Sequence, residues 1–247
     1  MKLQMLMGKV RKVCEMYDLI EDGDKIAVGI SGGKDSLTLL NCLADMRIFY
    51  PKKYEVLAIA VDLFNGKTDY TKIKEFCKKI NVELIIVNSD INNIVFNIRK
   101  EKNPCSLCAN LRRGILNSSA KQYGCNKVAL GHHSDDLVET FLMSMFYESR
   151  LNTFLPKTYL TNNDITVIRP MILLDEKDIS SYAKNLPVLF NECPADKHTT
   201  REEIKQLIQN LNKTIPQVKQ HILSALMNPQ RNCLFDKMLN EHKKNEQ

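Results

Sequence analysis

The chain contains no tryptophan, and aromatic residues make up only 7% of its 247 positions. No stacking platform for bases stands out, so composition by itself does not establish nucleic-acid binding. Long apolar runs are also missing. The most hydrophobic window, residues 56–64, contains Asp62 and falls well short of the ~20 residues a membrane helix needs. Lys9, Arg11 and Lys12 interrupt the N-terminal stretch too early for a secretory signal, so the expectation is a cytoplasmic protein without a membrane partner. In that reducing setting the eight cysteines do not read as a disulfide framework. Their spacing is read for metal or redox chemistry instead. No internal repeat or low-complexity linker divides the chain, whose length suits one large domain with appendages. A net charge of +6 is compatible with a polyanionic partner and equally with an ordinary solvated surface.

What is present centres on residues 26–36, Ile-Ala-Val-Gly-Ile-Ser-Gly-Gly-Lys-Asp-Ser. Ile26 to Ile30 reads as a strand covered on both faces. Gly32 and Gly33 free the backbone to turn sharply and approach a ligand, and Leu37, Leu40 and Leu43 follow at helical spacing. Backbone N–H groups at such a turn form an anion site, to which Lys34 adds positive charge. Asp35 would repel a bare phosphate. It makes sense when a divalent cation lies between the two. The order differs from the kinase-type loop, which needs an earlier Gly and a Lys directly after the last Gly and before Ser/Thr. The six residues Ser31–Ser36 resemble the loop of the PP-loop ATP pyrophosphatases, enzymes that split ATP between its α and β phosphates and adenylate a carbonyl oxygen. The plain alternative is a strand–turn–helix with chance glycines.

Leu6, Val10, Val13, Tyr17 and Ile20 mark an N-terminal amphipathic helix over residues 1–22. Further strands are expected at residues 55–63, 83–87 and 127–131. They alternate with helices at residues 68–80 and from about 135 to 147. A small hairpin is expected over residues 158–168, and a helix at 175–184. A capping box at Thr200 and Glu203 opens another helix, and Pro216 suits the first turn of a last one. Alternating strands and helices argue for an α/β fold with a doubly wound, mainly parallel five-stranded sheet. Residues 23–195 form its ATP-binding catalytic domain, and the helices of 196–247 pack on it. Ligands in such sheets bind at the carboxyl ends of the strands, where Ser31, Asp62, Gly131 and His132 fall.

Cys105-Ser-Leu-Cys108 fits half a zinc site, a redox dithiol or two ligands of an iron–sulfur cluster. No second close pair accompanies it. With Cys193 the set is three thiolates, too few for a closed zinc site but suited to a cubane with one iron left open. Cys14, Cys42, Cys77 and Cys125 read as small core residues. Arg99, Lys100, Lys102, Arg112 and Arg113 flank the pair, either as a solvated face or as contacts for phosphate or transition-state charge. Gly131-His132-His133-x-Asp135-Asp136-x-x-Glu139-Thr140 opens the helix after the fourth strand. Helix-start carboxylates explain part of it, and a nucleotide and Mg²⁺ site explains the whole.

Together with residues 2–4, 19–24, Leu111-Arg112-Arg113-Gly114 and Arg169-Pro170, these motifs resemble the tRNA 2-thiocytidine synthetase family (TtcA). The resemblance implies that ATP adenylates the C2 carbonyl of an anticodon-loop cytidine, and that sulfur from a [4Fe-4S] cluster replaces the oxygen. It implies cluster ligation by Cys105, Cys108 and Cys193, and ATP and Mg²⁺ at Ser31, Gly32, Gly33, Lys34, Asp35, Ser36, Asp62, Gly131 and His132. Lys34, Asp35, Arg112, Asp135 and Asp136 are the catalytic candidates. Asp35 with Asp135 or Asp136 would hold the metal, and Arg112 would steady the adenylated intermediate. The implied partners are tRNA and a sulfur donor such as a cysteine desulfurase, with a homodimer left open. The competing readings are a tRNA lysidine synthetase-type adenylating enzyme, a non-catalytic ATP-binding redox sensor, and an ATP-binding protein with structural zinc.

Overall fold

The computed structural model describes residues 2–99, 104–189 and 200–231. A single sheet organises it. Strands β1 (Asp24–Ile30), β2 (Tyr54–Asp62), β3 (Glu83–Asn88), β4 (Lys127–Ala129), β5 (Lys157–Leu160) and β6 (Ile165–Ile168) lie in the order β3-β2-β1-β4-β6-β5. All neighbours pair in parallel except β5 with β6. The sheet therefore has six strands rather than the expected five. The hairpin does not stand apart: β6 pairs with β4, Lys127 opposite Thr166, and carries β5 with it as an antiparallel edge.

The helices are α1 (Leu3–Met16), α2 (Lys34–Met46), α3 (Thr71–Lys79), α4 (Ile91–Asn93), which widens into a π-helical turn over Ile94–Arg99, α5 (Pro104–Gln122), α6 (Ser134–Glu148), α7 (Glu176–Ala183), α8 (Thr200–Thr214) and α9 (Val218–Met227). They cover both faces, and the period of two along the strands decides which residue meets which layer. Ile26, Val28 and Ile30 of β1 and Val56, Ala58 and Ala60 of β2 face the core shared with α1, α2, α3, α6 and α7. Ala27, Leu57, Ile59 and Val61 face α4 and α5. The C-terminal pair α8 and α9 packs on α6. Cys14, Cys42, Cys77 and Cys125 are buried. Burial pushes the Cys14 thiol up to about 12 and the Cys77 thiol up to about 11, so both are inert at neutral pH.

Two helix starts differ from the sequence expectation. Helix α3 begins at Thr71 rather than residue 68, because the Thr68 hydroxyl donates to Asp62 and the Thr71 N–H to Asp69 Oδ1 at 2.9 Å. Helix α9 begins after Gln217, whose φ of 62° and N–H bond to Asn212 Oδ1 (2.9 Å) place Pro216 outside the helix. With α8 starting at Thr200, the cap position falls at residue 199, outside the described residues.

The order 3-2-1-4 puts a topological switch point between β1 and β4. The chain leaves β1 toward one side and β4 toward the other, which opens a crevice at their carboxyl ends. Helix α2 anchors the β1 exit: Leu37, Leu39, Leu40 and Leu43 are fully buried, each contributing ~1.5–3 kcal/mol.

Candidate functional site at the carboxyl end of the sheet

The glycine loop between β1 and α2 is braced by its own serines. The Ser31 N–H donates to Ser36 Oγ (3.2 Å), the Ser36 hydroxyl to the Gly33 carbonyl (3.0 Å) and the Gly33 N–H to Ser31 Oγ (3.2 Å). Gly32 has a φ of +79°, in the region that strains other residues. The Leu189 side chain also covers it closely, and the Leu189 N–H donates to the Gly32 carbonyl at 2.9 Å. The first N–H groups of α2 have no acceptor within their own helix. Gly131, leaving β4, closes the loop from behind. A Cβ there would lie 3.0 Å from the Asp35 carbonyl carbon and 3.1 Å from the Ser36 nitrogen.

In front of the loop lies a cleft of about 640 Å³, walled by Ser31, Gly33, Phe64, Tyr70, Arg112 and Leu189 among others. Asp62 is fully buried at its edge. Its oxygens accept from the Gly66 N–H and the Thr68 hydroxyl, so it shapes the cleft wall through the turn after β2.

Charge gathers around the first turn of α2. Lys34 Nζ lies 3.1 Å from Asp35 Oδ2 and 3.1 Å from Glu176 Oε1. Asp35 Oδ1 is buried without a hydrogen-bond partner. An unsatisfied buried carboxylate oxygen is costly, and a hard divalent cation would satisfy it. Asp135 and Asp136 are already engaged. Asp135 Oδ2 accepts the Glu176 N–H (2.8 Å), and Oδ1 faces Lys219 (2.8 Å). Asp136 forms a capping box with His133, its Oδ2 accepting the His133 N–H at 3.0 Å, while Oδ1 faces Arg201 at 3.2 Å. Arg201 also reaches Glu139 Oε2 (3.0 Å). Burial pushes the Glu139 carboxyl up to about 7 despite this partner. Burial would raise Glu176 too, but hydrogen bonds from Lys205 and Lys34 bring it down to about 2.

His133 Nε2 lies 3.8 Å from Asp35 Oδ1, while its Nδ1 accepts the Asp136 N–H at 3.4 Å. His132 packs against Phe154 with ring centroids 4.8 Å apart, and the Arg169 guanidinium lies over the same Phe154 ring, 5.0 Å from its centroid. Burial, with Arg169 nearby, drops His132 to about 4, so it is neutral at pH 7.

Cys105 and Cys108 sit one turn apart at the N-terminus of α5, Cys105 exposed and Cys108 half-buried. Two thiols at this spacing, one exposed, fit one side of an iron–sulfur cluster. No group of three metal-ligating side chains forms among the described residues, and Cys193 lies outside them. Arg112, one turn after Cys108, donates from Nη2 to the Ile30 carbonyl at 3.3 Å. It thereby ties the cysteine helix to the end of β1. The site gathers Ser31–Ser36, Asp135, Asp136 and Arg112 as the sequence suggests. Glu176, Arg201, Lys205 and Lys219 join it without any motif to announce them. Glu176 has one local signal, its place shortly after Arg169-Pro170 at the end of β6.

Residues 5–211 match the family model described as a PP-loop domain. The chain is 37% identical over 239 residues to the tRNA-cytidine(32) 2-sulfurtransferase of Citrifermentans bemidjiense, covering 94% of this chain and 93% of that protein. It is 39% identical to the enzyme of the same name from Syntrophotalea carbinolica, covering 91% and 89%. Among solved structures, the U34-tRNA thiolase NcsA from Methanococcus maripaludis with its [4Fe-4S] cluster superposes with a TM-score of 0.75 at 26% identity, covering 94% of this chain and 79% of that one.

Proposed function

We propose that this chain, which belongs to the PP-loop family and within it to the tRNA-cytidine 2-sulfurtransferases, uses ATP to exchange the C2 oxygen of a tRNA cytidine for sulfur. The observation that carries the reading is the Arg112–Ile30 bond. It holds the cysteine helix and the phosphate-loop strand at one end of the sheet, which supports activation and sulfur delivery at neighbouring positions.

In this reading the triphosphate lies in the glycine loop with its α-phosphorus facing the cleft. The cytidine C2 oxygen attacks that phosphorus and pyrophosphate leaves. Lys34 offsets charge on the departing pyrophosphate, and Asp35 Oδ1 is the side-chain ligand offered to Mg²⁺. Arg112, in the wall of the cleft, faces the adenylated base with fixed positive charge. Sulfide bonds to C2 as AMP departs with the former carbonyl oxygen. A [4Fe-4S] cluster, when bound, supplies that sulfide. Cys105, Cys108 and Cys193 are its proposed ligands, and a sulfur donor such as a cysteine desulfurase, with a two-electron reductant to bring its persulfide sulfur to sulfide, replenishes it. Asp135 and Asp136 serve chiefly by fixing the starts of α7 and α6. Among the described residues no helix is long and apolar enough to cross a membrane.

The test is nucleoside analysis of tRNA after incubation with the anaerobically purified chain, MgATP and a sulfide source. 2-Thiocytidine should form, and Cys105→Ala should abolish it while MgATP affinity stays within about twofold, since ATP contacts the loop and not the α5 N-terminus. Thiolation by Cys105→Ala at the parent rate would remove the cysteine pair from the chemistry.

A further inference from the structure

Helix α8 is linked to the phosphate loop through Lys205 and an intervening carboxylate, Glu176. Lys205 Nζ lies 2.8 Å from Glu176 Oε2, and the other oxygen of the same carboxylate faces Lys34 Nζ at 3.1 Å. Glu176 is fixed from behind, because its own N–H donates to Asp135 Oδ2 at 2.8 Å. Asp135 is in turn held by Lys219 of α9. The carboxylate thus stands rigidly between a cation of the phosphate loop and a cation of the C-terminal helices.

An ammonium has three N–H donors. Asp35 and Glu176 take two from Lys34, which leaves the third for a phosphate oxygen. How firmly Glu176 holds Lys34 depends on how much of its charge Lys205 offsets. Removing Lys205 leaves the full carboxylate charge on Lys34 and draws the ammonium away from phosphate. Lys205 never touches the loop, so its effect must pass through Glu176. Arg201 and Lys219 face other carboxylates, Asp136 with Glu139 and Asp135 with Asp175, and do not substitute for it.

We propose that Glu176 is the positioning residue for Lys34 and that Lys205 sets its hold, so that the C-terminal helix pair tunes the grip of the loop on phosphate. This rests on the reading of Ser31–Ser36 as the ATP site.

Both side chains border a cavity of about 360 Å³ beneath α8 and α9, and 36% of Lys205 and 25% of Glu176 remain exposed. Substitutions there leave the core intact. The experiment is equilibrium binding of MgATP to the full chain and to Glu176→Gln, Lys205→Met, Lys205→Arg and the Glu176→Gln/Lys205→Met double variant, with thermal melting alongside. Coupling within one ion-pair network predicts about a 3- to 10-fold loss of affinity for Lys205→Met. Arginine at position 205 should restore it. Lys205→Met should cost nothing further once Glu176 is glutamine. An equal cost in both backgrounds, or wild-type affinity in every variant, overturns the assignment while leaving the ATP site in place. A parent chain that binds no MgATP overturns the ATP reading itself, and this proposal with it.

Discussion

The two ends of the sheet both bury charge, and they treat it in opposite ways. At the amino end Lys127 of β4 meets Asp24 of β1 at 2.7 Å, with side chains only 4% and 3% exposed. Its remaining donors go to the Leu19 carbonyl and to Glu21, and Asp24 further accepts from the Glu21 N–H and the Asn126 amide. Donors and acceptors are matched there, and the cluster has no use for a ligand. At the carboxyl end six carboxylates (Asp35, Asp135, Asp136, Glu139, Asp175 and Glu176) face four inward cations. One buried oxygen, Asp35 Oδ1, has no hydrogen-bond partner. A balanced pair pins strands together. An unsatisfied buried carboxylate oxygen costs stability with no structural return, which marks it as a candidate functional group.

The comparison breaks first at the amino end. Lys127→Ala strands a buried carboxylate and should cost about 3–5 kcal/mol in urea unfolding, with MgATP affinity of the folded protein unchanged. The double replacement Asp24→Leu/Lys127→Met should recover most of that loss. At the carboxyl end the same kind of change acts on rate. Asp35→Ala should cut tRNA-dependent pyrophosphate release by about 10²- to 10³-fold. Its unfolding free energy should stay within about 1 kcal/mol of the parent, because the aspartate oxygen it removes is already unsatisfied. If Asp35→Ala instead destabilises as much as Lys127→Ala, the two ends do not differ in kind.

Gly131→Ala sharpens the contrast with a smaller effect. The new methyl group presses on the backbone of Asp35 and Ser36, and overpacking of this sort predicts MgATP binding weaker by on the order of tenfold. Affinity equal to the parent would show that the loop yields freely.

Smallest is a pH effect. His132 falls from 6.5 unfolded to about 4 folded, so between those values the unfolded chain binds more protons. Stability from this group is complete above pH 6.5 and is lost as pH falls toward 4. Glu139, raised from 4.5 to about 7, has the opposite sign: the folded chain holds the proton longer, and stability declines as pH rises from 4.5 to 7. In urea melts, His132→Gln should therefore lose stability less steeply than the parent below pH 6.5, and Glu139→Gln should flatten the decline toward pH 7. Parallel pH profiles for parent and variants would remove both groups from the linkage.

Much of the site was legible where its residues are consecutive. Ser31 to Ser36 carry the loop, its turn and its charge in one hexapeptide, and the buried strand before it and leucine-rich helix after it fix where it sits. The strand alternation of β1 and β2 was equally local. The hairpin was readable as a hairpin but not as part of the sheet. Pairing of β6 with β4 is a long-range hydrogen-bond choice that residues 158–168 do not encode alone. The cations behind the loop were hidden for the same reason. Lys205 lies 29 residues from Glu176 and Lys219 lies 84 from Asp135, and each looks like an ordinary solvated lysine of an amphipathic helix. Asp135 and Asp136, candidate metal ligands by sequence, are held at the starts of α7 and α6 by partners that only the fold brings near.

Counting products bears most directly on the claim that ATP use and sulfur transfer share the carboxyl end of the sheet. AMP, pyrophosphate and 2-thiocytidine would be measured together in anaerobic reactions with and without tRNA. One AMP and one pyrophosphate should form for each thiolated base, and none when tRNA is omitted. Thiolated base formed without AMP, or AMP and pyrophosphate released at the full rate without tRNA, would contradict it.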